Sequence, residues 1–146
     1  MPTYDGVGGV WRNPDVEDIK KLLKQSKTIA VVGLSTNPAR ASYKVAAYLQ
    51  SQGYRIIPVN PNADEILGER AYSDLQSIAE QIDIVDVFRR SDEVFEITEK
   101  SISIGVRAVW LQESVLSYDA FKRGEKAGML MVMDRCLLRE HRRLMS

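Results

Sequence analysis

The sequence predicts an α/β fold, a doubly wound parallel sheet in a single domain with helices on both faces. Three observations support this. The chain has 146 residues, enough for one domain with a sizeable core but short for two. Short apolar runs alternate with amphipathic runs along nearly the whole sequence. The apolar runs show no polar alternation, which is typical of strands buried on both faces of a parallel sheet.

The first predicted element is an amphipathic helix that follows an N-terminal arm. Residues 1–13 are predicted to form a loose, glycine-rich arm, and residues 14–146 form the domain. Asn13-Pro14 marks the start of the helix, with Asn13 as its cap and Pro14 in the first turn. The predicted helix extends from Pro14 to Gln25, and its apolar face consists of Val16, Ile19, Leu22 and Leu23.

The rest of the chain alternates strand and helix. The predicted strands are Thr28–Gly33, Tyr54–Pro61, Ile84–Phe88, Val106–Gln112 and Met129–Met133, with a short edge segment in Leu67–Tyr72. The predicted helices are one with a Val45, Ala46 and Leu49 stripe that ends at Gly53, a small one near Asp74–Ala79, and the runs Ser91–Gly105, Ser117–Ala127 and Asp134–Leu144.

Composition excludes several classes of function. Lys plus Arg and Asp plus Glu both number 20, which argues against general binding to nucleic acid or to a membrane surface. One cysteine, Cys136, and one histidine, His141, allow no intrachain disulfide and disfavour a zinc site. The sequence shows no signal peptide and no apolar run of about 20 residues. We therefore expect a cytoplasmic protein.

The stretch VVGLSTNPARAS, Val31 to Ser42, has the pattern of a phosphate-binding turn. Gly33 directly follows a buried strand and permits a tight turn, after which backbone N–H groups and a helix N-terminus favour a diphosphate. Ser35 and Pro38 replace the later glycines of a dinucleotide-binding turn, and no acid ends the second strand at Asn60-Pro61. Both features argue against NAD, and no Walker loop is present.

Arginines follow the strand ends where a ligand is expected. Arg89 and Arg90 come after Phe88 at the end of the third main strand, and guanidinium forks bind phosphate in a bidentate manner. The alternative is a solvated basic pair with Phe88 in the core. With Arg40 on a neighbouring loop, the pattern favours a ligand with more than one phosphate. Coenzyme A, which carries a diphosphate and a 3′-phosphate, is such a ligand.

The sequence resembles the small stand-alone CoA-binding domain proteins, a family similar to the N-terminal CoA-binding domain of the succinyl-CoA synthetase α subunit. The resemblance covers residues 26–144. It rests on the order of six motifs: VGLSTNPARASYKVAAYL, GYRIIPVNPN, ILGERAYSDL, VDVFRRSDEV, AVWLQE and MVMDRCLLREH. One departure is Ser114, since we expect a glycine after WLQE.

The resemblance implies a Rossmann-like fold that binds coenzyme A or an acyl-CoA. It places Gly33, Ser35, Pro38, Arg40 and Ser42 along the phosphates. It places Asn60 and Pro61 beside the nucleotide, Phe88, Arg89 and Arg90 on the adenine-phosphate side, and Gln112 beside the ligand.

The residues give little support to catalysis, so we expect a binding module without intrinsic activity. His141 is interpreted as a surface or helix-end residue, and Asp83 and Asp86 point to different environments and form no carboxylate dyad. Cys136 is interpreted as a small buried hydrophobe, the alternative being a thiol that forms a mixed disulfide with CoA.

Two other functions stay open. One is an NADP- or flavin-dependent oxidoreductase, because the Arg40 guanidinium would also bind a 2′-phosphate. The other is a subunit of an acyl-CoA-processing enzyme that acts with a protein partner. The sequence also leaves a homo-oligomer open and identifies no acyl group.

Overall fold

A five-stranded parallel sheet forms the centre of the protein. The computed structural model describes residues 11–145, so residues 1–10 of the predicted arm lie outside the described residues. The sheet strands are β1 Thr28–Val32, β2 Arg55–Val59, β5 Ile84–Val87, β6 Ala108–Leu111 and β7 Leu130–Val132. Their order across the sheet is β2-β1-β5-β6-β7. The Rossmann-like parallel sheet predicted from the sequence is confirmed.

Helices cover both faces of the sheet. They are α1 Val16–Gln25, α2 Ala41–Ser51, α3 Val94–Ile104, α4 Tyr118–Lys126 and α5 Leu137–Met145. A small hairpin after β2 pairs β3 Glu65–Ile66 with β4 Glu69–Arg70. Two short 3₁₀ helices complete the fold: Leu75–Ser77 lies between this hairpin and β5, and Ser91–Glu93 leads directly into α3. An α-helix follows each of β1, β5, β6 and β7, whereas the hairpin and the first 3₁₀ helix connect β2 to β5. Such crossover connections are what parallel pairing requires.

The core lies on both sides of the sheet because successive strand residues point to opposite faces. In β1, Ile29 and Val31 pack with residues of α1, α2 and α5, whereas Ala30 and Val32 pack with residues of α3 and α4. All four are buried. This two-sided burial explains the unbroken apolar runs of the sequence.

The strand order creates a crevice at one edge of the sheet. β1 pairs with β2 on one side and with β5 on the other, and both pairings are parallel. The chain leaves β1 toward β2 and returns on the far side at β5, so the helices that follow β1 and β5, α2 and α3, pack on opposite faces of the sheet. A crevice at this switch point is where ligands bind in doubly wound sheets.

Asn13 does not cap the first helix. That helix begins at Val16 with Asp15 at the N-cap position. The Asn13 side chain instead exchanges two hydrogen bonds with the backbone of Met133, donating from Nδ2 to the carbonyl oxygen at 2.8 Å and accepting the N–H at Oδ1 at 2.8 Å. Asn13 therefore ties the segment before α1 to the end of β7.

The last helix begins three residues later than predicted. Asp134 has a φ of 57°, in the left-handed region, and its Oδ1 accepts the Ser114 N–H at 2.7 Å. Asp134 thus belongs to a turn that links two loops, and the helix begins at Leu137.

The surface interpretation of His141 is wrong. Its side chain is buried, its Nδ1 lies 2.8 Å from the Tyr48 hydroxyl, and its ring meets Tyr48 and Tyr54 edge-on. Burial lowers the pKa of His141 below its usual value. The residue joins α5 to α2 in the core instead of facing solvent at a helix end.

None of the helices described over residues 11–145 is long and apolar enough to cross a membrane. Within the same residues, no three His, Cys, Asp or Glu side chains are grouped closely enough to hold a metal ion.

Candidate phosphate-binding cleft

Two adjoining cavities of about 520 and 630 Å³ lie at the carboxyl ends of the sheet strands. The first lies on the β2 side and the second on the β6 side, and both are lined by Gly33, Ser35, Arg89 and Glu93. Together they form one cleft across the switch point. Its volume is in the range of sites for small molecules and cofactors.

Gly33 is required at the centre of the cleft for two reasons. Its φ is 86°, a backbone conformation that favours glycine. A Cβ at this position would also lie 2.4 Å from the carbonyl oxygen of Phe88 and 2.9 Å from Arg89 Cδ. The missing side chain therefore lets the loops after β1 and β5 approach each other at the crevice.

The loop after Gly33 is held by its own hydrogen bonds. The Ser42 hydroxyl, at the start of α2, accepts the Ser35 N–H at 3.0 Å, and the Ser35 hydroxyl accepts the Asn37 N–H at 3.0 Å. The Gly33 N–H donates to Val59 at 3.0 Å. These three amides are therefore committed to partners within the protein, which corrects the expectation that the N–H groups of this turn point at a ligand.

Free backbone donors remain at the next positions. Among the described residues, the N–H groups of Leu34 and Thr36 donate to no partner, and the same is true of the first turn of α2, at Ala41 to Tyr43. Helix α2 has 11 residues and lacks a side-chain cap at its N-terminus. Uncapped N–H groups and the helix dipole favour an anion at this point.

The three arginines of the cleft differ in their commitments. Arg40, at the N-cap position of α2, forms no ion pair with the described part of the chain. Arg89 donates to Glu93 at 2.7 and 3.0 Å, and Arg90 lies 3.3 Å from Asp92 and 3.5 Å from Glu93. Of these three arginines, Arg40 is therefore the one whose charge no carboxylate of the described residues offsets.

The Arg89 guanidinium also holds the pKa of the Glu93 carboxyl below its usual value. Glu93 is thus ionised near neutral pH and keeps Arg89 oriented between the two cavities. A phosphate that binds Arg89 must share this guanidinium with the carboxylate, which leaves the other edge of the fork for the ligand.

The first cavity combines apolar walls with a cation. Pro61, Leu75 and Ile97 contribute apolar surface, and Lys100 stands beside Glu96, with its Nζ 3.4 Å from the carboxylate. Asn60 Nδ2 donates to the Leu34 carbonyl at 2.9 Å and so fixes the loop after β2 against the loop after β1. Such walls suit a flat, partly apolar group that carries a negative charge.

The second cavity reaches a buried polar pair in the sheet. Gln112 follows β6, lines this cavity, and donates from Nε2 to Asp86 Oδ1 at 2.6 Å. Asp86 is fully buried in β5, and burial raises the pKa of its carboxyl to about 7. The Gln112 hydrogen bond acts in the opposite direction but is the smaller effect.

The structure brings together every predicted site residue except Pro38. The others line one or both cavities: Gly33, Ser35, Arg40, Ser42, Asn60, Pro61, Phe88, Arg89, Arg90 and Gln112. Pro38 is exposed in the turn before α2 and lines neither cavity. Their role in binding stays a prediction.

Sequence reasoning missed the wall that α3 and the turn before it contribute. Glu93, Glu96, Ile97 and Lys100 all line the first cavity. Their spacing of three, four and seven residues from Glu93 is the signal that was available, because such positions share one face of a helix. Because that helix follows the carboxyl end of a strand, this face of the helix is expected to line the cleft.

Ser114 lies next to the cleft, whereas Cys136 lies away from it. Ser114, between the cavity-lining residues Glu113 and Val115, has a φ of 71°, which explains why a glycine is expected there. Cys136 is half-buried against the core on the α1, α2 and α5 side and lines neither cavity. Its position favours the structural interpretation over a thiol that meets a ligand.

Comparison with known proteins gives a consistent family assignment. The profile of the CoA binding domain matches residues 27–142. The uncharacterised protein YneT of Bacillus subtilis is 41% identical over 130 residues, which are 89% of this chain and 96% of YneT. A hypothetical protein from Pyrococcus horikoshii has a solved structure with a TM-score of 0.88 and 36% identity, covering 92% of this chain and 97% of that one.

A larger enzyme contains a similar region. The ADP-forming acetate–CoA ligase II of Archaeoglobus fulgidus is 27% identical over 114 residues, which are 77% of this chain but only 16% of the ligase. The similarity is therefore confined to one part of that enzyme.

Proposed function

The chain belongs to the CoA-binding domain family, and from this premise we propose that it binds coenzyme A in the cleft around Gly33, as a binding module without intrinsic catalysis. The observation that carries the proposal is the convergence of an uncapped α2 N-terminus, the free Arg40 side chain and Arg89 at the switch point of the sheet. A diphosphate seated there would receive backbone N–H groups and guanidinium donors together.

The two cavities suggest how the rest of the ligand lies. The adenosine with its 3′-phosphate fits the first cavity, which supplies apolar walls and the Lys100 ammonium group. The pantetheine arm then runs through the second cavity past Gln112. Phe88 and Arg90 line only the second cavity, so they would lie beside the diphosphate and not beside the adenine.

The first experiment is calorimetric titration of the purified protein with CoA, dephospho-CoA, NAD and NADPH, preceded by native mass spectrometry to detect ligand retained from the cell. We expect CoA to bind most tightly and dephospho-CoA more weakly, because the latter lacks the 3′-phosphate. Binding of NADPH without binding of CoA would overturn the proposal and favour an oxidoreductase. An acyl-CoA series would then identify the preferred thioester.

Arg40→Ala is the variant that tests the phosphate assignment. We expect at least a tenfold loss of CoA affinity, since a hydrogen bond to a charged group contributes about 1.5–3 kcal/mol. The measurement is the same titration.

Arg123→Ala serves as the matched control for that variant. Arg123 is also a partly exposed arginine, but it pairs with Glu99 between α4 and α3 and lines neither cavity. We expect its affinity for CoA to equal that of the wild type. Equal affinities for the Arg40 variant and this control would refute the role of Arg40.

A further inference from the structure

We propose that Asp86 is a positioning residue for the ligand: it fixes the side-chain amide of Gln112 so that Gln112 Oε1 accepts a hydrogen bond from the pantetheine arm. This inference rests on the proposed function and deepens it. It assigns a role to a buried carboxyl that phosphate recognition does not use.

The first step is the setting of Asp86 in the sheet. Asp86 is in register with Val31 of β1 and Trp110 of β6, and all three side chains are fully buried. Trp110 Nε1 donates to the Arg135 carbonyl at 2.9 Å and so does not serve Asp86. The position would suit an apolar residue, and a carboxyl placed there has a large desolvation cost.

The second step is the single bond that Asp86 makes. Its Oδ1 accepts from Gln112 Nε2 at 2.6 Å, and its Oδ2 has no hydrogen-bond partner among the described residues. A buried pair of this kind does little for stability compared with two apolar residues. We therefore assign Asp86 a role in orienting the side-chain amide of Gln112.

The third step is the orientation of the amide. An amide has an –NH₂ end and a carbonyl end, and Asp86 accepts only from the first. Gln112 Oε1 accepts from no described residue, and the residue lines the second cavity. By accepting from Gln112 Nε2, the Asp86 carboxyl therefore leaves Gln112 Oε1 as the acceptor that faces the second cavity.

The fourth step is the chemistry of the partner. An acceptor at this place suits an amide N–H or a hydroxyl, and the pantetheine arm has both. The adenosine 3′,5′-bisphosphate part of CoA lies on the other side of Gly33 in the proposed pose. Gln112 would therefore distinguish CoA from nucleotides that lack pantetheine.

The test compares CoA with adenosine 3′,5′-bisphosphate on five proteins by calorimetric titration: wild type, Gln112→Leu, Asp86→Leu, Asp86→Asn and the double Leu variant. We expect both single Leu variants to lose about five- to tenfold in CoA affinity, as for one hydrogen bond, with bisphosphate affinity unchanged. The double variant should be no weaker than either single variant, because both remove the same contact. Asp86→Asn keeps an acceptor for Gln112 and should stay within about twofold of wild type.

Thr98→Val is the matched control. Thr98 is a fully buried polar residue of α3 whose hydroxyl has no described partner, and it lines neither cavity. Its CoA affinity should equal that of the wild type. If Asp86→Leu fails to fold, the wild-type side-chain amide NMR signals of Gln112 decide: they should shift on addition of CoA and not on addition of the bisphosphate.

Two results would overturn the inference: a folded Asp86→Leu protein with wild-type CoA affinity, or equal losses for CoA and the bisphosphate. Unchanged Gln112 signals on addition of CoA would do the same. Failure of the wild-type protein to bind CoA at all would instead reject the proposed function, so the two failures can be told apart.

Discussion

Gly33 shows how one residue can serve both the fold and the site. Its positive φ turns the chain out of β1, and its missing Cβ admits the carbonyl of Phe88 from the neighbouring loop. The turn requirement follows from the sequence, because a glycine stands directly after a buried strand. The close approach of the second loop is visible only in the folded chain.

Gly33→Ala should therefore destabilise the protein by more than the left-handed conformation alone, which costs about 1–2 kcal/mol for a non-glycine residue. The control is Gly128→Ala, whose φ of 88° almost equals the 86° of Gly33 but whose Cβ would have no atom within 4 Å. Urea unfolding should show the larger loss for Gly33, and CoA titration should show lost binding for Gly33 alone. Equal free energies of unfolding in the two variants would contradict the steric argument.

Asp86 should give the protein a pH-dependent stability of its own. Burial raises the pKa of its carboxyl from an ordinary 3.8 to about 7 in the folded chain. Between these values the folded state keeps a proton that the unfolded chain releases. The contribution of Asp86 is thus fully present below about pH 4 and is lost as the pH rises toward 7, with a slope of up to about 1.4 kcal/mol per pH unit.

The measurement is the free energy of unfolding of wild type and Asp86→Asn between pH 4.5 and 8. The buried His141 changes stability in the opposite direction, because its lowered pKa penalises protonation as the pH falls. Both proteins contain His141, so its effect cancels in the difference. The free energy of unfolding of the wild type minus that of Asp86→Asn should fall as the pH rises, by up to about 1.4 kcal/mol per pH unit. Parallel curves would show that Asp86 stays ionised in the folded protein.

Among the secondary-structure elements, the junction before α1 is where the sequence prediction and the structure differ most. Asn-Pro is a common helix start, and the sequence gives no sign that another partner competes for Asn13. In the folded protein the backbone of Met133, 120 residues away, offers both a donor and an acceptor to that amide. A pair of bonds to the core replaces a single local cap.

Asn13→Asp separates these two roles. Aspartate is as good a helix cap as asparagine, so a capping residue would tolerate the change. It cannot donate to the Met133 carbonyl, however, and we expect a loss of about 1–3 kcal/mol in the free energy of unfolding, the usual effect of leaving a buried acceptor unpaired. Thermal and urea unfolding measure this, and a stability equal to wild type would restore the capping interpretation.

The cleft is built from segments that come from most of the chain. The loops after β1, β2, β5 and β6 and one face of α3 all meet at one edge of the sheet. A ligand that spans both cavities would connect these segments and bind only the folded state. Ligand binding and global stability should therefore be linked.

Saturating CoA should raise the melting temperature of the protein. At a free concentration of 100 times the dissociation constant the gain is about 2.7 kcal/mol, which corresponds to several degrees for a domain of this size. Differential scanning fluorimetry of the wild type and of Arg40→Ala, each titrated with CoA, tests this. The variant should need at least tenfold more CoA for the same shift, and an equal shift at equal concentration would argue against binding through Arg40.

The fold class, the order of the elements and the loops that line the cleft all follow from the amino-acid sequence. Unbroken apolar runs, helical stripes and a glycine after a strand are local patterns, and parallel strands bring their carboxyl ends to one edge of the sheet. Gly33 and Asn60 stand at the ends of predicted strands, and Arg40 lies in the loop that follows the first of them.

Which polar groups already have a partner and which are free is visible only in the folded chain. Arg89 is engaged by Glu93, Arg40 is not, and the amides of Ser35 and Asn37 are used inside their own loop. The burial of His141, the Asn13 tie to β7 and the Asp86–Gln112 pair likewise join segments distant in the chain. Such pairings depend on distances between side chains across the sheet, which no local pattern encodes.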